Sequence, residues 1–146
     1  MKYSAIPVKG KTMKPTVRIP NFKKRGGLVP IVVQDIWTRQ VLMLVYTRKE
    51  EFLETVETGE AVFYSTSRKK RWKKGEEKSG NILVVHKILI DCDGDALVYL
   101  VSQKKEGEGA CHAGKPTCFY RSVIGSVLEA DSHTTLEIVS VHESLG

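Results

Sequence analysis

Short runs rich in β-branched residues, parted by glycines and polar turns, limit what this chain can become more than any other feature. Leu28-Val29-Pro30-Ile31-Val32-Val33-Gln34-Asp35 and Val41-Leu42-Met43-Leu44-Val45-Tyr46 flank a polar turn and read as two paired strands at the heart of a sheet. Ala61 to Ser65 reads as a third strand. Ile82 to Ile90 and Ala96 to Val101 read as two more, on either side of an acidic turn, and Phe119 to Ile124 as a last one. Only one stretch has a helical period. Thr47 with Glu50 three positions later has the form of a capping box, and Phe52, Leu53 and Val56 share a face, so a helix is expected from about Arg48 to Thr58, stopped by Gly59. The fold class expected is α+β, a mostly antiparallel sheet with one main helix.

A chain of 146 residues buries one good core but hardly two, so a single domain with tails is expected. Residues 1–25, lysine-rich and interrupted by prolines, read as a basic N-terminal arm, either a solvated tail or a nucleic-acid arm. Gly26-Gly27 opens a domain over 26–125, and 126–146 form a C-terminal extension in which Thr134 to Val141 suits a short strand or a helix. No apolar run approaches the roughly 20 residues that span a bilayer, which argues against a membrane protein. The first residues lack the apolar stretch of a secretory signal, and a cytoplasmic location is expected.

The cysteines are the next constraint. All three lie in two segments, Ile90-Asp91-Cys92-Asp93-Gly94-Asp95-Ala96 and Ala110-Cys111-His112-Ala113-Gly114-Lys115-Pro116-Thr117-Cys118. An odd number argues against a disulfide framework, and clustered thiols in a reducing compartment point to metal or catalysis. Thiolates suit zinc and carboxylates suit magnesium, so two adjoining metal sites are conceivable. If residues 91–95 are extended, Asp91, Asp93 and Asp95 share one side and Cys92 faces the other. The bland readings are a solvated acidic turn and buried free cysteines. Three thiolates would leave one of zinc's four positions open, the arrangement of a catalytic rather than a structural site, with His112 as base or proton shuttle.

Two familiar patterns fail. An EF-hand needs glycine at the sixth loop position and glutamate at the twelfth, where this chain has Ala96 and Ser102. A zinc-dependent base deaminase needs His-x-Glu and Pro-Cys-x-x-Cys, and neither occurs.

Asp-Cys-Asp-Gly-Asp-Ala-Leu at 91–97, Ala-Cys-His-x-Gly at 110–114 and Cys-Phe-Tyr-Arg at 118–121 resemble the signature of the phosphoribosyl-AMP cyclohydrolase family of histidine biosynthesis. The likeness continues upstream, in order, through Gly27-Leu28-Val29-Pro30, Val33-Gln34-Asp35, Val41-Leu42-Met43-Leu44, Thr58-Gly59-Glu60, Phe63-Tyr64-Ser65, Trp72-x-Lys74-Gly75-Glu76 and Ser79-Gly80-Asn81. It covers roughly residues 26–121, and the ordered set is far more specific than any one motif. The resemblance implies hydrolytic opening of the adenine ring of phosphoribosyl-AMP at the N1–C6 bond. It implies zinc on Cys92, Cys111 and Cys118, magnesium on Asp91, Asp93 and Asp95, and an intertwined homodimer in which Cys92 of one subunit joins Cys111 and Cys118 of the other.

The formal charge of +6, from 23 basic and 17 acidic residues, is concentrated in the arm and in Arg68 to Lys74. Either nucleic acid or a small substrate with several phosphates suits such a balance. With the resemblance, Arg68, Trp72, Lys74, Glu76, Ser79, Gly80 and Asn81 form the expected substrate-binding loop; without it, the loop reads as a solvated basic hairpin. The sequence departs from the family at Ala113, where threonine is usual, in one extra residue around Glu76-Glu77-Lys78, and at Arg48-Lys49 in place of a Met-Asn pair. No room is left after Arg121 for the pyrophosphohydrolase domain often fused to such enzymes, so a single ring-opening step is expected. The alternative from another class is a zinc-stabilised basic nucleic-acid-binding module. Three thiolates and no aromatic residues interleaved with the basic ones argue against it and make nucleic acid an unlikely partner.

Overall fold

The computed structural model describes residues 16–77, 79–105, 109–111 and 114–124. The first fifteen residues of the arm, His112 and the whole of the 126–146 extension lie outside them.

Six strands form one sheet in the order β4-β3-β2-β1-β6-β5. They are β1 (Val29–Asp35), β2 (Val41–Thr47), β3 (Phe63–Ser65), β4 (Lys70–Trp72), β5 (Leu83–Ile90) and β6 (Leu97–Gln103), with α1 (Lys49–Thr58) between β2 and β3. β1 runs parallel to β6 and every other pairing is antiparallel, so the sheet is mixed, with a single parallel seam one strand in from the β5 edge. Val29, Ile31 and Val33 of β1 are fully buried, as the period of two requires, and across the seam Leu97 and Tyr99 of β6 pair with Ile31 and Val33. The sheet curls. Ala61 donates to the Leu83 carbonyl at 2.9 Å and Val85 to that of Gly59 at 2.8 Å, so the approach to β3 meets the far edge strand.

The helix begins one residue later than the sequence pattern suggested. Thr47 ends β2, and the extended Arg48 is the cap, its N–H donating to Glu51 Oε1 at 3.1 Å while its guanidinium pairs with the same carboxylate. Phe52 is fully buried, as expected, but Leu53 is 41% exposed and the inward face is completed by Glu51 and Thr55. Those polar groups bury cheaply because each is satisfied: Glu51 by Arg48, and Thr55 Oγ1 by the Val62 N–H at 3.0 Å.

The segment from Phe119 to Ile124 forms no strand, contrary to expectation. β2 already has β1 on one side and meets β3 only through Tyr46–Tyr64, and the Cys118 N–H donates to the Leu42 carbonyl at 2.8 Å. Phe119 and Tyr120 continue from there without a ladder and remain exposed.

Part of the arm belongs to the fold. Val17 and Phe22 pack against the core, Phe22 meets Phe52 edge to face at 6.1 Å, and a 3₁₀ turn over Phe22–Arg25 ends at Gly26. Among the described residues no helix is long and apolar enough to cross a membrane.

Candidate active site

The acidic stretch is a tight turn rather than an extended strand. Asp91 Oδ1 accepts the N–H groups of Asp95 and Ala96 at 2.9 and 3.2 Å, and Gly94 N–H returns to the Asp91 carbonyl at 3.2 Å, with Gly94 at φ 76°. The turn itself gathers the carboxylates: one oxygen each from Asp91, Asp93 and Asp95 lie within 4.8 Å of one another. Asp95 is buried while Asp91, Cys92 and Asp93 are exposed. Lys24 Nζ bridges Asp93 and Asp95 at 2.6 and 3.0 Å, and Arg25 reaches Asp95 at 3.1 Å. The hydrogen bond from Lys24 is the largest cause that holds the Asp95 carboxyl well below the usual carboxylate range, against its burial. Three hard oxygen donors around a point already drawn to positive charge fit a dication such as magnesium.

The other cysteines sit at the opposite end of the central strands. β1 meets β6 from Ile31–Leu97 to Asp35–Val101, and β2 from Val29–Thr47 to Gln34–Val41. The acidic turn therefore adjoins the Val29 end. Cys118, bonded to Leu42, and Thr117, whose hydroxyl donates to the Val41 carbonyl at 2.6 Å, adjoin the Asp35 end. Leu42 lies level with Tyr99 and Leu100 of β6, so about three residues of that strand, roughly 10 Å, and two interstrand spacings separate the acidic turn from Cys118. Cys111 is buried, its N–H bonded to the Lys115 carbonyl at 3.0 Å, and Gly109 lets the chain pass there: a Cβ on it would lie 2.6 Å from that carbonyl oxygen. Burial first, and then its hydrogen bond with Cys111, push the Cys118 thiol up to about 11, with Lys74 pulling the other way. Two adjacent thiols of this kind fit a thiophilic cation such as zinc, which would replace their protons. Among the described residues Asp91, Asp93 and Asp95 are the one such triad of ligand atoms, so Cys92 does not join Cys111 and Cys118 within one protomer.

A groove of about 850 Å³ leads away from Cys118, lined among others by Met43, Arg68, Lys70, Trp72, Lys74 and Phe119. Of the residues expected to bind substrate, Arg68, Trp72, Lys74, Glu76 and Ser79 line it, whereas Gly80 and Asn81 do not. Trp72 packs on Phe63 at 5.7 Å between centroids, and Glu76 pairs with Arg71 at 3.0 Å. Asn81 is buried and fully engaged: its amide donates to Gln103 Oε1 at 2.9 Å and its oxygen accepts the Lys105 N–H at 2.9 Å. It braces the loop instead of facing the groove. His112 follows Cys111 in the chain but lies outside the described residues.

Sequence reasoning missed the cations that dock on the acidic turn and the carboxylates that organise the basic loop. Arg71 is held by Glu54 at 2.6 Å, and Glu60 accepts from Lys73 and Lys104 at 2.7 and 2.8 Å. Lys24 and Asp93 are 69 positions apart, and no local pattern reports such a contact.

Fold and site together define a class: small α+β proteins that carry a thiol pair at a cationic groove and a separate cluster of carboxylates. Within that class, the phosphoribosyl-AMP cyclohydrolase family profile matches residues 43–120. A phosphoribosyl-AMP cyclohydrolase of Methanospirillum hungatei is 54% identical over 101 residues, 69% of this chain and 74% of that protein. One of Desulfotalea psychrophila is 43% identical over 125 residues, 85% and 96% of the two chains. The histidine biosynthesis bifunctional protein HisIE of Aquifex aeolicus is 47% identical over 103 residues, 70% of this chain and 49% of that longer one. The chain belongs to the phosphoribosyl-AMP cyclohydrolase family.

Proposed function

We propose that this protein opens the adenine ring of phosphoribosyl-AMP by adding water at C6 and breaking the N1–C6 bond, giving the formimino carboxamide ribonucleotide. The observation that carries this reading is the thiol pair at the mouth of a cationic groove. The substrate bears two phosphate groups, and Arg68 and Lys70 line the groove with no carboxylate partner among the described residues, which suits them to bind a phosphate. Arg71 and Lys73 are neutralised by Glu54, Glu76 and Glu60 and shape the loop instead. Trp72, fixed by Phe63, offers an aromatic wall beside the purine.

Alkylation at N1 leaves C6 electron-poor and open to a hydroxide. Cys111 and Cys118, with Cys92 of a second copy, would hold zinc, which would acidify a water towards neutral pH. His112, next to Cys111, takes up the proton of the attacking water and returns it to the leaving N1 side. Asp91, Asp93 and Asp95 hold magnesium, and the working unit is a homodimer in the cytoplasm. The nucleic-acid alternative loses much of its footprint, because Lys24, Arg25, Arg71, Lys73 and Lys104 are all engaged by carboxylates.

The test is spectrophotometric. Purified zinc-loaded protein should convert phosphoribosyl-AMP and lose that activity to a chelator. No metal-dependent turnover, together with salt-sensitive binding of oligonucleotides, would replace this reading with the alternative.

A further inference from the structure

We propose that Lys24 is the resident cation of the aspartate turn, and that its ammonium competes with a divalent ion for the oxygens of Asp93 and Asp95. The inference rests on the assignment of a divalent ion to that turn. Three clustered carboxylates repel one another unless something positive sits among them. Lys24 Nζ lies 2.6 Å from Asp93 and 3.0 Å from Asp95, bridging two of the three proposed ligands, whereas Arg25 touches only Asp95. A dication that takes those two oxygens must displace the ammonium.

The ammonium is delivered by a built element and not by a loose tail. Asn21 N–H donates to the Gly94 carbonyl at 2.7 Å, joining the arm to the acidic turn by backbone alone. Phe22 packs on Phe52, and Gly27 N–H closes the 3₁₀ turn onto the Phe22 carbonyl at 2.7 Å. These contacts hold residues 21–27 in place whatever the side chain of Lys24 does. The lysine can therefore swing out, half-exposed as it already is, without undocking the arm. In the metal-free protein it relieves the repulsion of the turn, and in the loaded protein the metal does so. The affinity of the turn for a divalent ion is lowered by the work of expelling one charge.

Lys23 supplies the control, since it stands in the same 3₁₀ turn and makes no ion pair among the described residues. The experiment measures Mn²⁺ binding to the metal-stripped full chain by loss of the free-ion electron paramagnetic resonance signal, with thermal melting read alongside. Lys24→Met should bind Mn²⁺ about tenfold more tightly than wild type, the scale of one unit charge removed at contact distance near a surface. Lys23→Met should match wild type, and Asp93→Asn should weaken binding. Without metal, Lys24→Met should melt below wild type, and saturating Mn²⁺ should close the gap. Equal affinity in wild type and Lys24→Met, or equal tightening in Lys23→Met, overturns the role of Lys24 and leaves the metal assignment standing. Absence of saturable Mn²⁺ binding to both wild type and Lys24→Met overturns the metal assignment, and the competition with it.

Discussion

At the scale of single residues, the groove depends on atoms that have no chemistry of their own. Gly75 sits at φ 81°, and a Cβ there would come within 2.6 Å of the Asn81 backbone, so nothing larger than hydrogen fits where the basic loop turns back. Gly75→Ala should destabilise the protein by about 1–3 kcal/mol and raise KM for the nucleotide more than it lowers kcat, as chemical denaturation and steady-state kinetics would show. An unchanged melt with unchanged KM would mean that the loop is held some other way. Gly75 could be quoted from the sequence as part of a motif, but its reason could not, because the clash is with a backbone six positions on. Asn81 is a similar case. Its residue type suits a phosphate ligand, yet its amide is spent on Gln103 and the Lys105 N–H, partners visible only once β6 is folded beside it. The cysteines and aspartates were legible at this scale because their donor chemistry is written in the residue type itself.

At the scale of elements, the strands were readable and their accessories less so. β1, β2, β5 and β6 follow from runs of Val, Leu and Ile, while α1 begins at Lys49, capped by Arg48, because an Arg–Glu pair can close a helix end as well as a hydroxyl can. The strand expected after Cys118 does not form, because the chain touches the edge of β2 through the Cys118 N–H alone and then leaves the sheet. Ion pairs between elements were equally invisible. Glu60, at the entry to β3, accepts from Lys73 beyond β4 and from Lys104 beyond β6, and those hydrogen bonds, Lys104 first, lower its carboxyl to about 2 from an ordinary 4.5. A carboxyl lowered in the folded state stabilises the fold fully above its unfolded value and loses that effect as pH falls. The Glu60 contribution should thus be intact above about pH 5 and fade from pH 4.5 towards 2. Glu60→Gln should lower Tm by a few degrees at pH 7 and show a shallower loss of Tm between pH 4.5 and 3. Parallel acid limbs for the two proteins would exclude this network as a source of acid sensitivity.

At the scale of the whole molecule, strand register decides where the chemistry can happen. Parallel pairing of β1 with β6 sends the acidic turn and Cys92 to one end of the sheet, and the return of the chain onto Leu42 fixes Cys118 at the other. Spacing along the sequence gave no hint of this, since Cys92 and Cys111 are neighbours on the scale of the chain. The separation of Cys92 from Cys111 and Cys118 within one protomer gives the proposed two-subunit site a physical motive, since a second copy would supply the third thiolate. Most of the fold class and the donor types were therefore legible, whereas the assembly was not, because register is a property of paired strands. The most direct measurement mixes two inactive variants. Cys92→Ala and Cys111→Ala, each inert alone, should regain roughly half of the wild-type activity in purified heterodimers, since one of two symmetric sites recovers its full set of thiolates. Verified heterodimers as inactive as their parents would contradict a site shared between subunits.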